Sequence, residues 1–352
     1  MASSAPSSAD PIGVESAMTV PGQIFQGTHF VMDHKKTNEV GISSKITNPI
    51  LIEGTDNNTE KRIICVHGIG GCHSQFRNIA AALKDEGYVV VRYDLLGRGY
   101  SEFPADIIFD DNAHVKQLRD LIIHLGWNSG PKYNIIAHSM GGAIATLYSN
   151  KFHDEINSIA LLAPAGLLDP GVIRVVRGCF GWFQNIAKSV LSGSQEKAWR
   201  QDYMLSDEKA RELQEEAIED LRRASTRAPT IFEALWQSVL QFPLYGLDAD
   251  VATLASLEHV PLYIAWGDED KAVPFYPNFD RWRRIVDEKR ITFRSYNVKY
   301  ATYTGLGHGF FIESPDIVNG SLLSFYSDIV YLDVTSNDET DKDFVRKVSN
   351  VK

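Results

Sequence analysis

The chain has 352 residues, of which 44% are hydrophobic and 23% are charged, within the ordinary range of globular proteins. Its formal net charge of −10 at pH 7 argues against nucleic acid or an anionic membrane as the main partner, because both attract basic surfaces. The three cysteines, Cys65, Cys72 and Cys179, suggest no disulfide framework, so we expect reduced thiols and a cytoplasmic protein.

The two ends of the chain have the composition of flexible segments. Residues 1–22 are rich in Ser, Ala and Pro without an apolar core, so we expect a disordered arm that is neither a secretory signal nor a membrane anchor. Residues 336–352 are polar and charged, and we expect a flexible tail there. No uninterrupted apolar stretch approaches the ~20 residues that span a bilayer.

The first buried-strand pattern is the run at 62–66, which is apolar from Ile63 onward and is followed at once by a glycine-rich loop. Glycines in such a loop let the backbone approach a ligand closely. In an acyl-transfer site the N–H of Ile69 could bind an oxyanion, although a tight loop without a ligand explains the glycines equally well. His67 is expected to brace this loop by hydrogen bonds rather than to act as a base.

A serine lies where the apolar strand pattern from Asn134 changes to the helical pattern that continues to Tyr148. A strand that reverses into a helix forces Ser139 into a strained backbone conformation, so its neighbours must be small, as Ala137 and Gly141 are. The N–H of Met140 would then point at an oxyanion from the start of the helix. The alternative is an ordinary serine before a Gly-Gly turn.

Residues 169–247 separate the strand predicted at 158–163 from the strand predicted at 261–266, and they have helical composition without a strand signal. We therefore predict an inserted helical cap. Its apolar segments, which include Phe180, Phe183 and Trp236, line a substrate tunnel or pack against the core. A role of the 172–191 helix at a membrane surface is a further alternative, which we do not favour.

Acidic residues and a histidine follow the last two predicted strands. Asp268, Glu269 and Asp270 come after the strand at 261–266, and any one of them could orient a histidine. His308 lies between glycines after the strand at 299–304, which suits a proton shuttle. The alternative is that His308 only packs against Phe310 and the next phenylalanine.

Strands alternate with helical patterns at 74–86, 112–126, 140–152, 277–289 and 315–330. This alternation predicts an α/β fold with a mostly parallel sheet covered by helices on both faces. The core is expected to comprise residues 23–168 and 248–335.

The chain resembles the serine-nucleophile branch of the α/β-hydrolase superfamily. The resemblance is carried by the chain order of Ser139, Asp270 and His308 and by the loops at 67–71 and 94–101. The chain is most similar to esterases, monoacylglycerol-lipase-like proteins and carbon–carbon-bond hydrolases over roughly residues 29–330. The resemblance implies that Asp270 is the acid and that Asp94 only shapes a loop. A serine nucleophile disfavours the aspartate-dependent epoxide hydrolases and haloalkane dehalogenases.

The function that we predict is ester hydrolysis on a fairly hydrophobic small molecule, such as a lipid or monoacylglycerol, with Ser139, His308 and Asp270 as a catalytic triad. Neither a cofactor nor a metal is expected. A carbon–carbon-bond (diketone) hydrolase with the same triad and a low-turnover binding receptor are the alternatives. The predicted substrate contacts are His138, Phe180, Phe183, Trp236 and Phe310.

Overall fold

The computed structural model describes residues 19–20, 23–24, 29–35, 43–54, 61–104, 106–171, 173–174, 177, 230–293 and 297–335. Most of the predicted arm, all of the predicted tail and most of the predicted cap lie outside these residues. The described part includes every strand and helix that the alternating pattern predicted.

The strands form one large sheet and one small one. In chain order they are β1 (Thr19–Val20), β2 (Gln23–Ile24), β3 (His29–Lys35), β4 (Ser43–Glu53), β5 (Arg62–Val66), β6 (Val89–Tyr93), β7 (Tyr133–His138), β8 (Ile156–Leu162), β9 (Leu262–Gly267) and β10 (Val298–Tyr303). The large sheet has the order β10-β9-β8-β7-β5-β6-β4-β3. Its neighbours run parallel from β10 to β6, and β4 pairs antiparallel with β6 and β3. The predicted mostly parallel sheet is confirmed.

The central strands are buried along their length. Every side chain of β5, β6, β7 and β9 is buried, and β8 is buried at all positions except Asn157. Successive side chains of a strand point to opposite faces, so a fully buried strand must be covered on both of them. These apolar strands form the core of the molecule.

The described helices are α1 (Arg77–Asp85), α2 (Asp111–His124), α3 (Met140–Phe152), α4 (Thr230–Gln241), α5 (Asp248–Ser256), α6 (Phe275–Phe293), α7 (Phe310–Glu313) and α8 (Pro315–Thr335). Helix α1 packs against α8, whereas α2, α3, α5 and α6 contact one another in that order. The five predicted helices are present, with small differences at their ends. In the described part of the chain, none of the helices combines the length and apolar character that a membrane span requires.

The N-terminal strands are the part of the fold that the sequence pattern did not predict. Strand β4 carries Asn48 and Pro49, residue types that are rare in strands, which hides its signal. Strand β1 lies within the segment predicted as a disordered arm, but it pairs antiparallel with β2. The segment contains Pro21-Gly22, a pair that favours turns, and the rest of the predicted arm lies outside the described residues.

The two ends of the predicted cap contact each other. Arg177, in its first end, donates from Nε to the Val239 carbonyl at 2.9 Å and from Nη2 to the Phe242 carbonyl at 2.8 Å. Helix α4 forms most of the second end. That the whole of 169–247 is a cap stays a prediction.

A buried histidine on α2 has no hydrogen-bond partner among the described residues. Both ring nitrogens of His114 are buried there without a donor or acceptor. The ring lies 6.1 Å from the ring of Phe109 and 5.8 Å from that of Phe242. Burial lowers the pKa of His114 well below its usual value, and the charge of Arg98 lowers it further. The ring is therefore neutral in the folded protein.

We expect His114→Phe to stabilise the protein by about 1–3 kcal/mol at neutral pH, because it removes an unsatisfied polar ring from the core. Below pH ~6.5 the unfolded chain protonates His114 whereas the folded chain does not, so the wild type loses stability as the pH falls. The advantage of the variant should then grow by about 1.4 kcal/mol per pH unit. Urea unfolding between about pH 8 and pH 5 measures this difference. A difference that does not change with pH would contradict a neutral, buried His114.

Candidate active site

Four loops that carry the predicted site residues lie at one edge of the sheet. The loop after β5 includes Ile69, the turn after β7 holds Ser139, the loop after β9 holds Asp270, and the loop after β10 holds His308. Parallel strands end at the same edge, so these loops converge there. The structure brings Asp270 into contact with His308, and it joins His308 to His138, the residue that precedes Ser139.

Ser139 occupies the sharp turn between β7 and α3. Its backbone angles, φ 54° and ψ −122°, lie outside the regions that residues with a side chain favour. Backbone hydrogen bonds hold this conformation: the Ser139 N–H donates to the Leu162 carbonyl at 3.0 Å, and the Ser139 carbonyl accepts from Gly142 and Ala165, both at 2.9 Å. A strained residue persists only where its surroundings fix it in this way, and such residues cluster at functional sites.

The loop after β5 approaches the start of α3 so closely that the adjoining positions must be small. A Cβ on Gly141 would overlap the Val66 carbonyl oxygen and lie 2.7 Å from the His67 carbonyl oxygen. A Cβ on Gly68 would lie 2.9 Å from the Cβ of Ser139. The glycines therefore allow the two loops to meet at Ser139.

We expect Gly141→Ala to lower the free energy of unfolding by about 1–3 kcal/mol or more, because the new Cβ would displace the backbone after β5. Gly320→Ala is the matched control, since Gly320 is also helical and a Cβ there would meet nothing within 4 Å. That change should stabilise the protein by about 0.5–1 kcal/mol. Urea unfolding of the two variants measures shifts that should have opposite signs, and equal shifts would contradict the close approach at Gly141.

A short hydrogen bond joins the predicted acid to the predicted base. His308 Nδ1 lies 2.7 Å from Asp270 Oδ2, and Asp270 Oδ1 accepts from the N–H groups of Ala272 and Val273, both at 2.9 Å. The Asp270 side chain has no exposed surface, whereas 13% of the His308 side chain is exposed. A carboxylate in this place accepts from Nδ1–H, so Nε2 of the neutral imidazole remains able to take a proton.

The two neighbouring acidic residues, Asp268 and Glu269, bond to the loop after β10 through other groups. Asp268 Oδ1 accepts from the Gly305 N–H at 2.7 Å, and the Asp268 N–H donates to the Tyr303 carbonyl at 3.1 Å. Glu269 is exposed, and its N–H donates to the Leu306 carbonyl at 3.0 Å. These bonds tie the loop after β9 to the loop after β10. The carboxylate in contact with His308 is that of Asp270, the acid that the resemblance implied.

Two buried side chains hold the His308 loop. His138 Nε2 lies 3.1 Å from the His308 carbonyl oxygen, to which it donates, and the two rings are 4.4 Å apart. Burial lowers the pKa of His138 well below its usual value, against the raising effect of the hydrogen bond to the His308 carbonyl. Glu313, completely buried, accepts from the Gly307 N–H at 3.2 and 3.3 Å. The sequence did not signal this role of Glu313, because a lone acid in an apolar helix has no recognisable spacing.

His67 braces the loop after β5. Its Nε2 accepts from the Leu95 N–H at 2.9 Å, so its Nδ1 carries the proton and donates to the Gly68 carbonyl at 2.8 Å. The Gly71 N–H also donates to the Gly68 carbonyl, at 3.1 Å. Burial lowers the pKa of His67 to about 4, against the raising effect of Asp94, so the ring is neutral at neutral pH. The predicted bracing role of His67 is confirmed.

The two N–H groups predicted to bind an oxyanion have no acceptor within the described ranges. Met140 is the first residue of α3, where an N–H has no intrahelical partner. The Ile69 N–H belongs to the same peptide group as the Gly68 carbonyl. That carbonyl accepts two hydrogen bonds, which polarise the N–H. Both groups are therefore available to a developing negative charge. Their role as an oxyanion hole stays a prediction.

The Asp94 carboxylate organises the neighbouring loops. It accepts from the His73 N–H at 2.8 Å, from His73 Nδ1 at 3.0 Å and from the Tyr100 N–H at 3.0 Å. Burial by itself would raise the pKa of Asp94, but the charge and hydrogen bond of His73 outweigh it and lower this pKa to about 2. Asp94 is thus ionised and structural, in agreement with its predicted role in shaping a loop.

The aromatic residues predicted to contact substrate are buried or lie outside the described residues. Trp236 is 3% exposed. Phe310 has no exposed surface, and its ring stacks on that of Tyr303 at 5.0 Å. Phe180 and Phe183 fall in the part of the chain that is not described. Substrate contact by the predicted residues stays a prediction.

Two clusters among the described residues have the spacing to hold a cation, with their ligand atoms within 4.8 Å of one another: Cys72, His73 and Asp94, which are buried, and His153, Asp154 and His259 near the surface. In the buried cluster the Cys72 thiol bonds to Ser74 Oγ at 3.0 Å and His73 bonds to Asp94. These ligand atoms already have protein partners, so nothing in the geometry requires a metal.

The part of the chain that carries the candidate site is similar to known proteins. A family model described as the alpha/beta hydrolase fold matches residues 61–315. Lipase 3 of Moraxella sp. (strain TA144) is 27% identical over 219 residues, which are 62% of this chain and 65% of that lipase. The chain thus spans slightly less than two thirds of the length of this curated relative.

Solved structures share the fold. The enol-lactonase from Burkholderia xenovorans LB400 has a TM-score of 0.61 and 18% identity, covering 80% of this chain and 97% of the lactonase. A meta-cleavage product hydrolase from Pseudomonas fluorescens IP01 has a TM-score of 0.56 and 18% identity, covering 80% of this chain and 95% of that enzyme. At these identities the likeness concerns the fold alone.

Proposed function

The chain belongs to the α/β-hydrolase fold family, and from this premise we propose that it is a serine hydrolase that cleaves carboxylic esters of fairly hydrophobic small molecules, such as lipids or monoacylglycerols. The observation that carries the proposal is the 2.7 Å hydrogen bond between Asp270 and His308, whose loop is bonded to His138, the residue before the strained Ser139. The lipase among its relatives supports hydrolysis as the class of reaction.

In the first step, Ser139 Oγ attacks the carbonyl carbon of the ester while His308 Nε2 takes the hydroxyl proton. Asp270 accepts from Nδ1–H throughout, which holds the tautomer and stabilises the imidazolium that forms. The carbonyl oxygen becomes negative and is bound by the N–H groups of Ile69 and Met140. The imidazolium then protonates the leaving alcohol, and the acyl group stays on Ser139.

In the second step, His308 Nε2 takes a proton from water, and the resulting hydroxide attacks the acyl carbon. The same two N–H groups bind the second oxyanion. Ser139 leaves as its oxygen recovers a proton from His308, and the carboxylic acid is released. Apart from the ester and water, each step uses groups of the chain. Removal of one oxyanion donor should slow turnover by about 10²–10³-fold.

The apolar character of helix α4 supports a hydrophobic substrate. Leu235, Val239 and Leu240 are partly exposed on this helix, and Ile69 is partly exposed on the loop after β5. Helix α4 is joined to the Ile69 carbonyl through Ser238 and Arg98, and partly exposed apolar side chains gain free energy when an acyl chain covers them.

A substrate panel tests the proposal. We expect p-nitrophenyl esters to be hydrolysed, with kcat/KM that increases from acetate to medium acyl chains. A vinylogous diketone of the meta-cleavage type, assayed in parallel, should not be cleaved. Turnover of the diketone without turnover of the esters would replace the proposal by carbon–carbon-bond hydrolysis, for which the same three residues would serve. Turnover of neither would favour a binding receptor.

A further inference from the structure

A buried arginine lies behind the loop that follows β5. Arg98 is 1% exposed, and among the described residues its hydrogen bonds go to neutral oxygens rather than to a carboxylate. Burial lowers the pKa of Arg98 to about 9, so it is still protonated at neutral pH. A buried charge is costly unless its donors are used, and the geometry of the donors shows what this one holds in place.

The guanidinium joins three segments that are distant in sequence. Its Nε donates to the Ile69 carbonyl at 3.1 Å, its Nη1 to the Leu96 carbonyl at 2.9 Å, and its Nη2 to Ser238 Oγ on α4 at 2.7 Å. The group also lies 5.8 Å from the centre of the Phe109 ring. The rigid planar fork of arginine fixes the relative positions of its acceptors in a way that a flexible lysine does not.

The bond to Ile69 completes the support of a predicted oxyanion donor. The carbonyl of Gly68, on the N-terminal side of Ile69, is held by His67 and Gly71. The carbonyl of Ile69 itself is held by Arg98. Both peptide planes that flank this residue are therefore anchored: the Ile69 N–H lies in the first plane, and Arg98 fixes the second plane and with it the Cα from which the residue continues. Without Arg98 the second plane has no side-chain anchor among the described residues.

The bond to Ser238 lies in a tight contact between α4 and the loop that carries Arg98. Ser238 is completely buried, and Ala234, one helical turn earlier, faces the same loop, since a Cβ on Gly97 would overlap its Cβ. Gln241 Oε1, further along the helix, accepts from the Phe109 N–H at 2.6 Å. The Arg98 side chain thus links α4, through Ser238, to the loop after β5.

We propose that Arg98 is a positioning residue that aims the Ile69 N–H at the reacting carbonyl and makes its position depend on the placement of helix α4. The inference rests on the proposed function, since it assigns Arg98 to the oxyanion site of that reaction. Substrate that presses α4 onto the core would strengthen the chain of bonds from Ser238 through Arg98 to Ile69. The expected specific effect is on the charged tetrahedral state rather than on binding of the neutral ester.

The test compares Arg98→Lys with Arg92→Lys. Arg92 is also a buried arginine, which donates to Glu53 at 2.7 Å and to the His73 carbonyl at 3.1 Å, but its hydrogen bonds do not reach Ile69 or α4. Titration with a fluorophosphonate gives the concentration of active sites, so a partly unfolded preparation does not distort kcat. Each variant is then assayed for kcat and KM on a p-nitrophenyl ester, and for inhibition by a trifluoromethyl ketone and the methyl ketone of the same chain.

The trifluoromethyl ketone adds Ser139 Oγ to its carbonyl carbon, with the proton passing to His308, and so creates an oxyanion, whereas the methyl ketone stays largely neutral. We expect Arg98→Lys to lower kcat per active site about tenfold and to lower the affinity for the trifluoromethyl ketone by a similar factor. This effect is smaller than the about 10²–10³-fold loss expected when an oxyanion donor is removed altogether. KM and methyl ketone affinity should change little. Arg92→Lys should resemble the wild type in all four quantities.

Ser238→Ala tests the link to α4 with a smaller change. It should lower kcat several-fold in the wild type and have no further effect in the Arg98→Lys background, because both changes interrupt one path. If the double variant instead lost kcat by the product of the two single factors, the substitutions would act independently and the link would be overturned. Equal effects of Arg98→Lys and Arg92→Lys, or unchanged affinity for the fluorinated ketone in Arg98→Lys, would overturn the inference while leaving the proposed function intact. A wild type that the fluorophosphonate does not label would overturn both.

Discussion

His308→Ala is expected to lower kcat for ester hydrolysis by about 10⁶-fold with little change in KM, because without the imidazole no group takes the proton of the Ser139 hydroxyl. Binding of the neutral ester depends on the apolar surfaces rather than on this ring, so KM is preserved. Loss of His308 also leaves the buried Asp270 carboxylate without the partner that now lies at 2.7 Å. Initial rates on a p-nitrophenyl ester, corrected for spontaneous hydrolysis, measure the effect.

His259→Ala is the matched control, since it makes the same chemical change at an exposed histidine, whose Nε2 lies 3.4 Å from the His153 carbonyl. Its kcat should stay within about twofold of the wild type, as expected for a surface substitution away from the reacting groups. Retention of most of the activity by His308→Ala would show that another group is the base.

Asp270→Asn should lower kcat by about 10⁴-fold. The reason is the fixed pattern of donors around this side chain. The N–H groups of Ala272 and Val273 require an acceptor at the Oδ1 position. The amide oxygen of the new asparagine must take that position, so its NH₂ group faces His308 Nδ1. The imidazole is then driven to the tautomer with its proton on Nε2, which cannot accept the proton of Ser139.

Asp268→Asn is the control for this experiment. Asp268 accepts from the Gly305 N–H, a bond that an amide oxygen can also accept, so kcat should fall no more than a few-fold. The comparison uses the same ester and the same active-site titration for both variants. Equal losses in the two would mean that the acid is not specifically Asp270.

Much of the fold could be predicted because its strands are fully buried. Runs such as the one at 63–66 are apolar at every position, and they alternate with amphipathic helices, so the pattern predicts a parallel sheet covered on both faces. Strands β3 and β4 were missed because they lie at the antiparallel end of the sheet, where strands need not be fully apolar.

The candidate site could be predicted where a local backbone requirement marks it. Ser139 and Gly141 form a turn that only certain residue types allow, and the structure gives Ser139 the expected strained conformation. His308 and Asp270 were found by chain order, and the structure joins them. In each case the signal was a residue type that the backbone or the chemistry demands at one position.

The residues that hold the site could not be predicted, because their contacts depend on tertiary packing. Glu313 and His138 reach the loop around His308 from different elements. Arg98 contacts Ser238 across 140 positions of sequence. Buried polar side chains of this kind have no periodicity or spacing that distinguishes them from surface residues before the fold is known.

The proposed mechanism requires Ser139 to be an activated nucleophile. The most direct measurement is incubation of the wild type and Ser139→Ala with a fluorophosphonate, followed by mass spectrometry of the intact chain and of its peptides. An activated Ser139 should give one covalent adduct per wild-type chain, located on Ser139, and none on the alanine variant. A folded wild type that remains unlabelled, or a label that persists in Ser139→Ala, would contradict it.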